Sequence, residues 1–386
     1  MSNWFLRPAQ THGIIDKLRA VSKTFPALMA LISTASASAG PSWKIQYFYD
    51  KDNAAFTIND LRFFSAKRGV AVGYIETDKG KSEPMSVVTS DGGATWSEAP
   101  LKEVGISLFS LNDTIGWLVT DKAIWKTTEA GRNWVRLKKV EGIRRVWFLD
   151  EMHGFAIGAP KVILETTDGG KTWDAVDAAA KPKSNPRYTS YDWITFVTPQ
   201  RGLITGASIP PRPGDAEPAW LDPEAVSKRR EWPTLTIKLE THDSGKTWDV
   251  QTAPTFGQTT RLRLLPNGAG LALIRFAHSF EYPSEVYKIS AGGKSERVFR
   301  AKDRVVTDCA FLGPGEALLA AIEPQGRLQQ LPIPGKLHIL SSAGLSTWSE
   351  MPVPYKANGT RAILSVADAE NAWVATDTGM ILHLSR

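Results

Sequence analysis

The side chains of this 386-residue chain whose types and spacing could do chemistry are mostly arginines. They recur at or just before short apolar runs: Asp60 and Arg62, Arg144 and Arg145, then Arg187, Tyr188, Tyr191 and Trp193, then Arg261 and Arg263, Arg304, and Arg361. A planar guanidinium offers a fork of donors that matches a carboxylate or a phosphate, so converging arginines read as an anion-recognising surface. The candidate contacts are Arg62, Arg145, Arg187, Tyr188, Trp193, Arg261, Arg304 and Arg361. Trp220 and Trp232 join them from a long insertion that also holds Arg229 and Arg230. A competing reading pairs several of these arginines with Asp60, Asp192, Asp303 and Asp308, while strand alternation turns others between packed elements. Catalytic sets are harder to assemble. His12, His153, His242, His278, His338 and His383 show no ligand spacing, so no metal is expected. No nucleophile elbow, phosphate loop or dinucleotide fingerprint occurs, and no cofactor is expected. Cys309 is the single cysteine, which excludes an internal disulfide, and it stands in an apolar strand pattern that suits a small buried residue.

What must position these residues is a repeat. Thr166 to Trp173 reads Thr-Thr-Asp-Gly-Gly-Lys-Thr-Trp; Thr89 to Trp96 and Thr241 to Trp248 fit the same Ser/Thr-x-Asp-x-Gly-x-Thr-Trp pattern. Thr127 to Trp134 and Ser341 to Trp348 are degraded copies, and Ser290 to Lys294 keeps only the glycines. The pattern describes a tight turn: the Asp carboxylate accepts from turn amides, Gly supplies positive φ, and Trp starts the next strand. Asp91, Trp96, Asp168, Trp173, Asp243 and Trp248 are therefore structural. A second signal precedes each copy, an apolar run, a polar turn, a small residue and another apolar run. It pairs Phe63 with Gly69, Ser110 with Gly116, Phe148 with Gly154, Phe196 with Gly202, Leu264 with Gly270, Phe311 with Ala317, and Val366 with Ala372.

Seven units of four antiparallel strands at this period predict an all-β, seven-bladed β-propeller. The seventh unit runs out after its third strand, Met380 to Leu384, whereas Gly40 to Gln46 reads as an unattached fourth strand with Trp43 at its start. The N-terminal strand is expected to complete the last blade and close the ring, which buries two edges. Residues 207–233 form an insertion in the fourth blade whose prolines keep it out of a sheet, and 323–335 form a smaller one in the sixth.

These motifs resemble the Asp-box repeats of sialidases, sortilin-type receptors and, above all, the photosystem II stability and assembly-factor family, over Trp43 to Leu384. That resemblance implies a non-catalytic propeller that binds a partner protein, such as a membrane-complex subunit, through an arginine-rich face. The expected ligand is an acidic protein segment or another anion, held at one channel mouth on the face opposite the Asp boxes. The alternatives are a sialidase-like glycoside hydrolase, for which Leu61-Arg62-Phe63-Phe64 lacks the Ile-Pro of that family's arginine motif and no Tyr and Glu can be assigned to its catalytic pair, and a carbohydrate-binding propeller.

Net charge of +6 suits an anionic partner, but no basic run interleaved with aromatics points to nucleic acid. Residues 1–39 differ from the rest. Arg7, Lys17, Arg19 and Lys23 precede an apolar stretch from Phe25 to Ile32 and a small-residue site at Ala37-Ser38-Ala39. They read as an export signal removed after Ala39, with an uncleaved anchor as the alternative. The mature chain, residues 40–386, is then an exported, periplasmic or extracellular monomer that does not span the membrane.

Overall fold

The structure, a computed structural model, describes residues 40–386 apart from 52–53, 78–79, 212–232, 277–281, 325 and 329–330. The expected export signal lies outside the described residues.

Seven antiparallel blade sheets succeed one another in a propeller ring, the first five built from four consecutive strands each. The inner strands are Ala55–Phe63, Gly105–Ser110, Ile143–Phe148, Thr189–Phe196, Gln258–Leu264, Val305–Gly313 and Ala362–Val366. All seven predicted pairs face each other at the end of the first hairpin of their blades, from Phe63 opposite Gly69 to Val366 opposite Ala372. Closure runs as the sequence implies. Ser42–Phe48 lies antiparallel to Met380–Ser385, with Trp43 opposite Leu384 and Tyr47 opposite Ile381. Two edges that would expose unpaired amides are thereby joined.

The fourth strand of blade 3 is only Asp174–Ala175, before the chain enters a 3-10 turn at Asp177–Ala180. Blade 6 is larger: its insertion forms a hairpin of Gly326–Leu328 with Leu331–Ile333, and Asn358–Gly359 adds a fifth strand to its sheet.

The box turns hold themselves together through one carboxylate. Oδ1 of Asp168 accepts from the Thr166 hydroxyl at 2.8 Å and from the amides of Lys171 and Thr172, both at 2.9 Å, and Oδ2 accepts from the Thr172 hydroxyl at 2.6 Å. The Thr166 hydroxyl oxygen in turn accepts from the Gly170 amide at 2.9 Å. Gly169 and Gly170 sit at φ 78° and 92°, the left-handed region that a side chain resists. Asp91 and Asp243 accept from the corresponding two threonine hydroxyls and from the Thr95 and Thr247 amides, and the donors, first the hydroxyls of Thr95 and Thr247 and then their amides, hold both carboxyls down at about 2.

From five of the turns a tryptophan, Trp96, Trp134, Trp173, Trp248 or Trp348, enters the gap between blades. Trp248 meets Phe155 of blade 3 and Phe196 of its own blade edge to face, at centroid distances of 5.7 and 6.3 Å. Six hydrophobic clusters result, each shared by two neighbouring blades.

Candidate binding site in the central channel

An inner strand shows alternate residues to the ring axis. In six blades it carries a bulge at one level, and the residue just after it is Asp60, Ser107, Arg145, Trp193, Arg261 or Asp308. Two residues further on stand Arg62, Phe109, Trp147 and Arg263. A cavity of about 60 Å³ lies among these side chains, lined from all seven blades, with Ile363 and Leu364 supplying the last.

The electrostatics centre on Trp193. The guanidinium carbons of Arg145, Arg263 and Arg261 lie 4.4, 4.8 and 5.1 Å from its ring centroid, within cation–π range. Its indole Nε1 is buried and has no hydrogen-bond partner among the described residues. Four guanidinium groups line the cavity against two carboxylates, Asp60 and Asp308. Burial first, and then the neighbouring Arg261 charge, pushes the Arg145 guanidinium down to about 9, with Asp60 opposing the shift. It stays charged at neutral pH.

Both carboxylates are committed to the ring. Asp60 accepts from its neighbour Leu61 N and, across the blade boundary, from Leu108 N at 2.8 Å. Asp308 repeats the device two blades away round the ring, accepting from Cys309 N at 2.9 Å and from Leu364 N at 3.0 Å. Asp308 is fully buried, which favours the neutral acid, but Arg261 at 3.1 Å, Arg263 at 3.3 Å and these two amides together hold its carboxyl below the usual range. Asp192 is taken up by Arg144, Ser190 and Gln258. Cys309, next to Asp308, is buried, and its thiol is pushed up to about 12, foremost by that burial.

Of the residues singled out from sequence, Arg62, Arg145, Trp193 and Arg261 meet here, on the inner strands themselves. Arg361 donates to the carbonyls of Ile58 and Asn59 at 3.3 and 3.1 Å, tying blade 7 to blade 1. The others go elsewhere. Arg187 is exposed on the 3-10 turn Pro186–Tyr188, with its guanidinium 5.8 Å from the Tyr188 ring. Arg304 pairs with Asp303 and with Glu350 on an outer strand. Tyr191 is a core residue whose hydroxyl donates to Ala179 O. Trp220 and Trp232, with Arg229 and Arg230, lie outside the described residues. Phe109, Trp147 and Ile363 were missed, although counting back one or three residues from each hairpin position finds them. Among the described residues no group of His, Cys, Asp and Glu is arranged to hold a metal ion.

A protein-family profile described as photosynthesis system II assembly factor YCF48 matches residues 139–208, which contain the best copy of the repeat. The chain is 25% identical over 254 residues to the photosystem II assembly lipoprotein Ycf48 of Prochlorococcus marinus, across 61% of this chain and 68% of that one. This chain is a photosystem II assembly-factor-like propeller. A protein of the same name from a Synechococcus strain is also 25% identical, over 40% of this chain and 50% of its own length. Among solved structures, YCF48 bound to D1 peptide superposes with a TM-score of 0.58 at 16% identity, over 89% of this chain and 97% of that chain. A GH74 xyloglucanase from Xanthomonas campestris gives 0.55 at 12% identity, over 89% of this chain and 53% of its own. Likenesses this distant in sequence show the fold alone.

Proposed function

We propose that this assembly-factor-like propeller is an exported, non-catalytic binding protein that recognises an acidic segment of a partner protein, such as a membrane-complex subunit, through its arginine-lined channel. The observation that carries the reading is the ring around Trp193, where three guanidinium groups and an unmet indole N–H surround a cavity with room for a carboxylate. Charge-assisted hydrogen bonds to such a group are strong in a buried setting of low dielectric.

Two further features support a protein partner. Among the described residues, Phe48, Ile209, Phe256, Ile333 and Tyr355 are exposed, and all lie where the chain enters an inner strand or crosses from second to third strand, on one face of the ring. Apolar side chains around a charged centre suit a protein interface. The solved YCF48 structure holds a D1 peptide, and the Prochlorococcus and Synechococcus relatives are named lipoproteins, which is in keeping with export. Among the described residues no helix is long and apolar enough to cross a membrane. A glycosidase reading is less well supported, since Asp60, Asp192 and Asp308 are each occupied by amides or cations.

The test is titration with a fluorescein-labelled acidic nonapeptide ending in a free carboxylate. Affinity is expected to fall as salt rises, since the approach to the ring is screened over roughly 8 Å at physiological ionic strength. Replacing Arg145 and Arg261 together by Ala is expected to cost about 2–5 kcal/mol of binding. Arg145→Lys is expected to weaken binding too, because an ammonium cannot reproduce the fork. Wild-type affinity in the folded double variant at low salt overturns the proposal.

A further inference from the structure

Six of the seven blades place a tryptophan at one register position, where the chain enters the fourth strand beside the end of the third. Trp96, Trp134, Trp173, Trp248 and Trp348 come from the box turns, and Trp43 comes from the closing strand. In blade 5 the position is Ser295, paired with Ile289, at the end of the turn Ser290–Lys294. Each of these tryptophans fills the gap toward the preceding blade. Between blades 4 and 5 nothing does, and a cavity of about 310 Å³ opens there.

Its walls identify it as the missing side chain's place. Leu203 and Leu264 hold the positions that Phe155 and Phe196 hold around Trp248, and both line the cavity with Ser295 and Gly293. A Cβ on Gly245, in the blade 4 turn, would meet the Phe155 ring at 2.2 Å, whereas one on Gly293 would meet nothing within 4 Å. None of the six hydrophobic clusters joins these two blades. The lining is not wholly apolar. Thr205 is 7% exposed, and its hydroxyl has no hydrogen-bond partner among the described residues. A buried hydroxyl left in that state costs free energy until a ligand meets it. At the rim, Arg201 and Lys238 share Glu240, at 3.1 and 3.0 Å.

We propose that the gap between blades 4 and 5 is a binding site for a free planar aromatic ligand of one or two rings, with an N–H or O–H on its edge. The ring lies between the Leu203 and Leu264 walls where an indole stands in the other blades, and its edge donates to the Thr205 hydroxyl oxygen. The volume sits at the small end of ligand pockets and well above an apolar cavity that already admits benzene. The site is remote in character from the channel, takes a different chemistry, and does not depend on the reading of the channel.

The experiment is a calorimetric titration of the full chain with indole and, separately, with naphthalene, which has the same shape without the N–H. Wild-type protein is expected to bind both. Ser295→Trp restores the side chain the other blades carry and is expected to abolish both, with the fold checked by circular dichroism. Thr205→Val is nearly isosteric and is expected to weaken indole about 2- to 10-fold while leaving naphthalene unchanged; it keeps the test decisive if Ser295→Trp does not fold. The proposal fails if wild type binds neither compound, if folded Ser295→Trp binds indole as wild type does, or if Thr205→Val leaves indole binding unaltered.

Discussion

The gap between blades 3 and 4 and the gap between blades 4 and 5 are built from the same two hairpins in the same register, yet one is packed and the other is open. In the first, Trp248 lies edge-on to Phe155 and Phe196, and a cluster running from Ile157 to Leu239 continues inward. In the second, Leu203, Leu264 and Ser295 replace the three aromatics, and about 310 Å³ is left between the sheets. The ring therefore does not need every joint filled. Closure by Ser42–Phe48 holds both ends of the circle, so one loose joint is carried by the other six.

The largest effect that could break this comparison is a truncation on each side. Phe155→Ala is expected to cost about 3–5 kcal/mol, as a fully buried Phe leaving a cavity normally does. Leu203→Ala should cost less than about 2 kcal/mol, since the methyl groups removed already border a void. Urea denaturation of the two variants measures the difference, and equal losses mean that the open joint is as well packed as the closed one. A smaller change of opposite sign sharpens the contrast. Ser295→Trp is expected to stabilise by about 0.5–2 kcal/mol, the usual yield of filling a cavity, read as a raised urea midpoint at unchanged slope; a lowered midpoint would show that the sheets have closed too far to admit the ring.

The packed joints were legible in the sequence because a box and its hairpin are local. Thr166 to Trp173 specifies its turn from within eight residues, and the spacing from Phe148 to Gly154 specifies the pairing before it. The closing strand was legible for the same reason, as a unit lacking a strand at one end and a strand lacking a unit at the other. The open joint was half legible: the loss of Asp and Trp from the fifth copy was plain, but its consequence depends on what faces Ser295 from blade 4. The channel was legible in residue type: Arg62, Arg145 and Arg261 were read as one set, and they line one cavity together. Arg304 was read as part of the same surface, but its partner Glu350 lies 46 residues away on an outer strand, and no local pattern reveals that pairing.

The smallest predicted difference between the two joints is in their response to acid. Asp243 closes the turn beside the packed joint, and its carboxyl is held at about 2 by the Thr247 hydroxyl first and then by the Thr247 amide, against about 3.9 for an aspartate in an unfolded chain. A group whose folded value is depressed contributes stability in full above its unfolded value and loses it as pH falls through the folded one. The blade 4 turn should therefore loosen between about pH 4 and pH 2, whereas Ser290–Lys294 beside the open joint, which has no carboxylate, should not respond over that window. Hydrogen-exchange protection factors at the Gly245 and Thr247 amides, compared with those at Gly293 and Lys294, read this directly. Protection at Thr247 is expected to drop on acidification in the wild type and to be low and pH-independent in Asp243→Ala. A parallel drop at Lys294 would mean that acid opens the whole ring rather than the box turn, and that Asp243 staples more than its own loop.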